Sequence, residues 1–327
     1  MREIRSKVRL TAAAGLWALL AACGSSHPPA PASDAAAGND ATSAADLAPF
    51  PNPVAAVTCS ELPPLPWEFR LVAGPPVSED FTFDEQGYLL ALSKNSLVRL
   101  ARGGAPALVT SMVALNGTGV RVLPGGDFVV GDEVRGTVER IDAANNRRSI
   151  GTNIRGPNGI QLGPHGQLYV TGLNDGNLYR IDPMAGVTTA LATVVDDADG
   201  LAFANDFQAV FVNSYGSGEI FRVPLMPDGS AGTPVKFVDG LGHPDGMTID
   251  ECGNLYVAGY GDGKLRRVSP DGKVEVVADF QVTPVTAVSF GSGKQGWDAR
   301  ALYVMNYRDG GVFELKVGVR GGATPPP

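Results

Sequence analysis

The chain has 327 residues, 44% of them hydrophobic and only 18% charged, with a formal net charge of −8. That apolar fraction excludes a wholly disordered chain and leaves room for one large or two ordinary domains. The acidic balance leaves no broad basic surface for phosphates, which excludes nucleic acid as an expected partner, while 42 Gly and 25 Pro predict many turns and short strands in place of long helices.

In chain order, Arg2, Arg5, Lys7 and Arg9 precede an uncharged run from Leu10 to Ala22 that ends in Leu20-Ala21-Ala22-Cys23-Gly24. Residues 1–22 therefore read as a secretory signal. The small residues before Cys23 resemble the lipobox of bacterial lipoproteins, so Cys23 is the expected lipidated N-terminus of an exported protein in the periplasm, in the outer membrane or on the cell surface. A soluble secreted protein that loses Cys23 with the signal is the alternative. Removal of residues 1–22 takes away four basic residues and one acidic one, so the charge of the remainder falls from −8 to −11. Residues 24–57 hold 11 Ala and 6 Pro with no Lys or Arg and no hydrophobic period, the composition of a disordered tether.

From Pro66 onward one phrase returns six times: a polar residue, a small or polar one, an apolar-x-apolar strand, a turn and a second strand. The opening residues are Glu79, Thr118, Asn158, Asp199, Asp245 and Thr286, spaced 39, 40, 41, 46 and 41 apart. A period of about forty residues in an all-β chain is what a four-stranded propeller blade requires, and closing the ring removes exposed sheet edges. The predicted fold is a six-bladed β-propeller over residues 58–320, with a disordered tail at 321–327. The alternating segment Trp67 to Val72 is the expected fourth strand of the last blade and closes the ring. This closure puts Cys59 and Cys252 on the same lower face, where in an oxidising compartment they either pair as a disulfide or remain two thiols.

The six opening residues converge on one channel mouth, where three carboxylates and an amide repel one another unless a cation sits between them. An all-oxygen set suits a hard ion, Ca²⁺ first and Mg²⁺, Mn²⁺ or Zn²⁺ after it. Against this, Asp-Gly and Asn-Gly are also ordinary turn pairs, although Glu79 has no special turn role. Loops after the second strands also reach this end and offer Asn174, Asp175, Asn213, Tyr215, Tyr260, Asp262, Asn306, Tyr307 and Arg308 to a substrate.

The phrases Pro157-Asn158-Gly159, Ala198-Asp199-Gly200, Pro244-Asp245-Gly246-Met247-Thr248-Ile249-Asp250 and Gly253-Asn254-Leu255-Tyr256-Val257-Ala258 resemble the senescence marker protein (regucalcin), gluconolactonase and luciferin-regenerating-enzyme family, over roughly residues 74–318. The resemblance implies a six-bladed propeller that holds a divalent ion through a glutamate, here Glu79, an asparagine, here replaced by Asp199, and an aspartate, here Asp245. It implies that Asn158 lies near the substrate. The chain departs from the pattern where Asp80-Phe81 follows Glu79 in place of Gly-Pro, and where Asp199 adds a negative charge that binds a cation more strongly but leaves it less electrophilic.

The implied activity is metal-dependent hydrolysis of a lactone or similar ester by a monomer, with Asp245 or Asp199 accepting a water proton, Asn158 orienting the ester, and Asn213, Tyr260, Tyr307 and Arg308 binding the substrate. The alternative is a noncatalytic propeller, of the kind built from NHL repeats, that binds a protein, glycan or small ligand. No G-x-S-x-G elbow occurs. Gly291-Ser292-Gly293-Lys294-Gln295 lacks the Ser or Thr of a phosphate loop, and Gly259-Tyr260-Gly261-Asp262-Gly263 joins two strands. His165 falls in a lower turn and only His243 near the mouth.

Overall fold

A computed structural model of the chain describes residues 53–73, 79–93, 96–111, 115–281, 284–308 and 310–325. The signal segment, Cys23 and the tether up to residue 52 lie outside the described residues.

The described chain folds as six four-stranded antiparallel sheets arranged as a β-propeller, with one 3₁₀ turn at Pro164–Gly166. The innermost strands are Phe81–Phe83, Gly117–Val122, Pro157–Leu162, Ala198–Phe203, Pro244–Ile249 and Val285–Phe290. Each begins at one of the six repeated phrases. Alternation within the strands sends apolar side chains into the seams between blades, so the core is a ring of clusters. In one seam Leu123, Val129, Val138 and Ile150 of the second blade pack on Ile160, Val170 and Ile181 of the third.

Phe69–Ala73 pairs antiparallel with Val312–Lys316, in the register Phe69↔Leu315, Arg70↔Glu314 and Leu71↔Phe313, and is the outer strand of the last blade. The first and last strands thus close the ring. A buried ion pair reinforces the same seam, since Arg102 in the first blade donates to Glu314 in the last through Nε (3.0 Å) and a terminal nitrogen (2.7 Å). Cys59 and Cys252 are joined by a disulfide, with Cα atoms 5.6 Å apart.

Two boundaries differ from the sequence expectation. The fold begins before residue 58, because the Val57 amide donates to Gly318 O at 3.0 Å and the Val54 amide donates to an Asp298 carboxylate oxygen at 2.5 Å. Residues 321–325, expected as a disordered tail, lie across the lower end of the channel: Gly321 bridges Asp250, and the Gly322 and Ala323 amides donate to Ile249 O (2.9 Å) and Asn205 Oδ1 (3.0 Å). The reason is steric as well as polar. A Cβ at Gly322 would stand under 3.0 Å from Asn205 and Ile249, so only glycine lets this backbone lie flat.

Candidate active site at the channel mouth

Five blades place their opening residue by the same device. In the second to fifth blades two residues of the innermost strand face one of its neighbour: Asn158-Gly159 falls between the pairs Pro157↔Gly172 and Ile160↔Val170, and Asp199-Gly200 between Ala198↔Ser214 and Leu201↔Val212. Thr118-Gly119 and Asp245-Gly246 repeat this, and Thr286 is the extra residue of the last blade. A β-bulge re-aims the side chain it contains, here into the channel.

The Asp-Gly and Asn-Gly pairs are therefore parts of strands and not turns. A Cβ at Gly119, Gly159, Gly200 or Gly246 would stand under 3.0 Å from the carbonyl oxygen of Asn158, Asp199, Asp245 or Thr286 in the next blade. Glycine is present because the inner strands approach so closely.

Buried side chains fix the bulges. Thr171 Oγ1 accepts the Gly159 amide at 2.8 Å and donates to Asp199 O. Asn213 Oδ1 accepts the Gly200 amide at 2.9 Å, and its Nδ2 donates to Asp245 O. Both ends of the Asn213 amide are thus consumed and the residue is fully buried, so it stands behind the wall of the site; the expectation that it touches substrate is corrected. Asn213→Ala is expected to leave two buried backbone groups unpaired and to lower stability by roughly 2–5 kcal/mol, read by chemical denaturation.

All six opening residues line one narrow cavity of about 30 Å³, together with Asp80 and Arg121. That volume admits a water or a single ion but no organic substrate. Asp80 is not a free carboxylate: it accepts from the Arg121 guanidinium at 2.6 Å and from the Val120 amide at 3.0 Å. Asp199 is 1% exposed, and its Oδ2 has no hydrogen-bond partner among the described residues. Burial, and then the charges of Asp199, Glu133 and Asp80, push Glu79 from 4.5 up to about 8. Burial and neighbouring carboxylates likewise raise Asp199 to about 8 and Asp245 well above its usual range.

This donor set suits a divalent cation. Its carboxylates line one narrow buried cavity and one of their oxygens is orphaned, the condition that a positive charge relieves. The described residues contain no complete metal cluster of three or more His, Cys, Asp or Glu, so a bound ion would draw the rest of its shell from water or substrate.

The raised acids carry a stability prediction. Their folded-state pKa values lie above the unfolded ones, so their contribution is whole below the unfolded pKa, near 4, and is lost as the pH climbs through about 8. Melting of chelated protein is therefore expected at falling temperature from about pH 5 to pH 8.5, and saturating Ca²⁺ is expected to remove that trend.

A second tier surrounds the cavity. The residue that follows each second strand is Glu133, Leu173, Tyr215, Tyr260 or Tyr307, and its amide donates to the loop ahead of the innermost strand at Asn116, Gly156, Asp197, His243 or Pro284. Ring centroids of Tyr215 and Tyr260, and of Tyr260 and Tyr307, are 5.7 Å apart, and His243 packs on Tyr215 at 5.0 Å. Burial, Tyr307 and the acids Glu79 and Asp245 push Tyr260 up to about 12, so these phenols stay protonated and can donate.

Arg308 is exposed at the rim and its amide donates to Asn306 Oδ1 at 2.9 Å. Asp175 and Asp262, expected to face the mouth, are engaged by Tyr179 (2.6 Å) and Arg266 (2.5 Å). Glu133 is the residue that sequence reasoning left out of the site, while Tyr215 stands at the mouth as expected. Aligning the five blades one position past the second strand finds Glu133.

Comparisons with known proteins agree with this fold. Residues 169–307 match the model of the SMP-30/Gluconolactonase/LRE-like region, which includes Asp199 and Asp245 but not Glu79. A 6-deoxy-6-sulfogluconolactonase of Pseudomonas putida is 31% identical over 46% of this chain and 56% of its own length, and a pentonolactonase of Haloferax volcanii is 29% identical over 39% and 44%. The chain spans about half the length of the curated relatives it matches. A calcium-binding regucalcin from Agrobacterium tumefaciens is similar in fold at 20% identity and a TM-score of 0.65, over 80% of this chain and 97% of that one. A gluconolactonase from Xanthomonas campestris is similar at 17% identity and a TM-score of 0.65, over 81% and 95%.

Proposed function

We propose that this chain, whose residues 169–307 match the SMP-30/gluconolactonase/LRE-like model, is a divalent-cation-dependent hydrolase of a lactone or similar cyclic ester, with Ca²⁺ the first candidate ion. The observation that carries the proposal is the orphaned, buried Asp199 Oδ2 between two further carboxylates with raised pKa values. Glu79, Asp199 and Asp245 would hold the ion. When bound, such an ion supplies Lewis-acid polarisation of a carbonyl and lowers the pKa of water.

The chain's own residues would do the rest. Asp199 or Asp245 accepts the proton of the attacking water. Asn158, half-buried in the cavity wall, orients the ester. The substrate sits above the cavity, which is too small for it, and lays its apolar face on Tyr260 and Tyr307. Hydrolysis adds water across the acyl–oxygen bond and yields a hydroxy acid, which releases one proton near neutral pH.

The lipobox-like Leu20-to-Cys23 segment supports export as a lipoprotein on a membrane. The upper mouth would then face away from the bilayer, because the chain enters the fold on the lower face.

The test is calorimetric titration of chelator-treated protein with Ca²⁺, Mg²⁺, Mn²⁺ and Zn²⁺, followed by a proton-release assay on a panel of aldonolactones. Cation binding and cation-dependent acid release are expected. Well-folded protein that binds none of the four ions and hydrolyses nothing would leave a ligand-binding propeller in place of an enzyme.

A further inference from the structure

Glu133 belongs neither to the three acids in the cavity nor to the tyrosine wall above it. It comes from the second blade, at the position that carries Tyr215, Tyr260 and Tyr307 in the fourth to sixth, and its amide donates to Asn116 O at 3.1 Å. The innermost strands meet one another in chain order and the first meets the last, so in this ring of six the second blade stands opposite the fifth. Glu133 therefore faces the Tyr260 side of the mouth. After burial, its negative charge is among the causes that raise Glu79, Asp199 and Tyr307.

The side chain is held in place. Asn116 Nδ2 donates to Glu133 Oε2 at 2.9 Å, so one residue fixes both the backbone and the carboxylate of Glu133. Glu133 is half-buried, and its other carboxylate oxygen has no partner among the described residues. Nor has it an ion pair among them, since Arg135, two positions on, pairs with Asp132 at 2.6 Å.

Such a carboxylate has two effects on a molecule entering the mouth. Its open oxygen accepts a hydroxyl in a charge-assisted hydrogen bond, and its charge repels a second anion. On the reading that the mouth is a lactone site, we infer that Glu133 sets the substrate class: it accepts a hydroxyl of a neutral polyhydroxy lactone laid on Tyr260 and excludes lactones that carry a carboxylate, phosphate or sulfonate. Selection of this kind works by the repulsive element as much as by the attractive one. Arg308 does not cancel it, because that side chain is exposed on the rim of the sixth blade, where water and salt screen its charge.

The experiment titrates the purified protein calorimetrically, in excess Ca²⁺, with gluconolactam, which resists hydrolysis, and with the same lactam bearing a carboxylate at C6. Proton release from the two corresponding lactones is followed separately. The parent is expected to bind the neutral lactam about tenfold or more tightly than the anionic one. Glu133→Gln keeps the shape and loses the charge, so it is expected to weaken the neutral lactam about tenfold and to bring the two affinities together, with the melting temperature unchanged. Asn116→Ala leaves the charge but releases the side chain. It is expected to weaken the neutral lactam while the anionic one stays excluded.

Equal binding of both lactams by the parent, affinities untouched by Glu133→Gln, or binding of neither lactam overturns the inference. Lactams bound as expected with no lactone hydrolysed would instead end the hydrolase reading and leave Glu133 the selector of a ligand-binding propeller.

Discussion

Asp199→Asn is expected to abolish cation-dependent turnover while raising the melting temperature of the chelated protein near pH 8. The two effects have one cause. Asp199 is buried with an unpartnered oxygen and pushed up to about 8 by burial and by neighbouring carboxylates, so ionising it without a cation opposes folding. An uncharged amide of the same shape removes that opposition at alkaline pH and removes both a ligand oxygen and a proton acceptor. Loss of a general base costs about 10²–10⁴ in rate, and the loss of one ligand charge weakens the ion further.

Thermal melts in chelator, calorimetry with Ca²⁺ and proton-release kinetics read the three consequences separately. Glu79→Gln and Asp245→Asn are expected to follow the same pattern, because both carboxyls are raised first by burial and then by the charge of Asp199. A variant at Asp199 with undiminished hydrolysis would remove this residue from the mechanism. A variant without the alkaline gain in stability would mean that the acids do not crowd one another in solution.

Breaking the Cys59–Cys252 disulfide is expected to lower stability by about 3–5 kcal/mol and the melting temperature by roughly 10 °C. The bond spans 193 residues of sequence and ties the segment ahead of the closing strand to the fifth blade. Reduction therefore frees most of the propeller as one open loop in the unfolded chain, where a long loop gains the most entropy. Inside the fold, Phe69–Ala73 still pairs with Val312–Lys316, so the ring is expected to stay closed at room temperature and to open first at this seam on heating. Scanning calorimetry of Cys59→Ala/Cys252→Ala, with and without reductant on the parent, checks this. Equal melting temperatures in all samples would show that the seam is held by its strand pairing and by Arg102 and Glu314 alone.

The six-fold phrase, the closing strand and the six residues around one mouth were readable in the residues in order. Each follows from a local pattern, alternation and turn chemistry, repeated at a nearly constant interval. Repetition turns one local reading into a ring, because every copy must bury the same face against the next. The two-against-one bulges were not readable, since a register shift belongs to a pair of strands and leaves no mark on either one. For the same reason the glycines after Asp199 and Asp245 looked like turn residues, although they answer to a carbonyl oxygen of the neighbouring blade forty residues away in sequence.

Asn213 was misread as a substrate contact. An asparagine in a loop phrase carries the same letter whether its amide meets solvent or two buried backbone groups, and only packing decides which. The packed tail at 321–325 also comes from tertiary structure. Composition reports what a segment cannot bury by itself, whereas the fold decides what its backbone meets, and whether a donor finds an acceptor depends on atoms brought together from opposite ends of the chain.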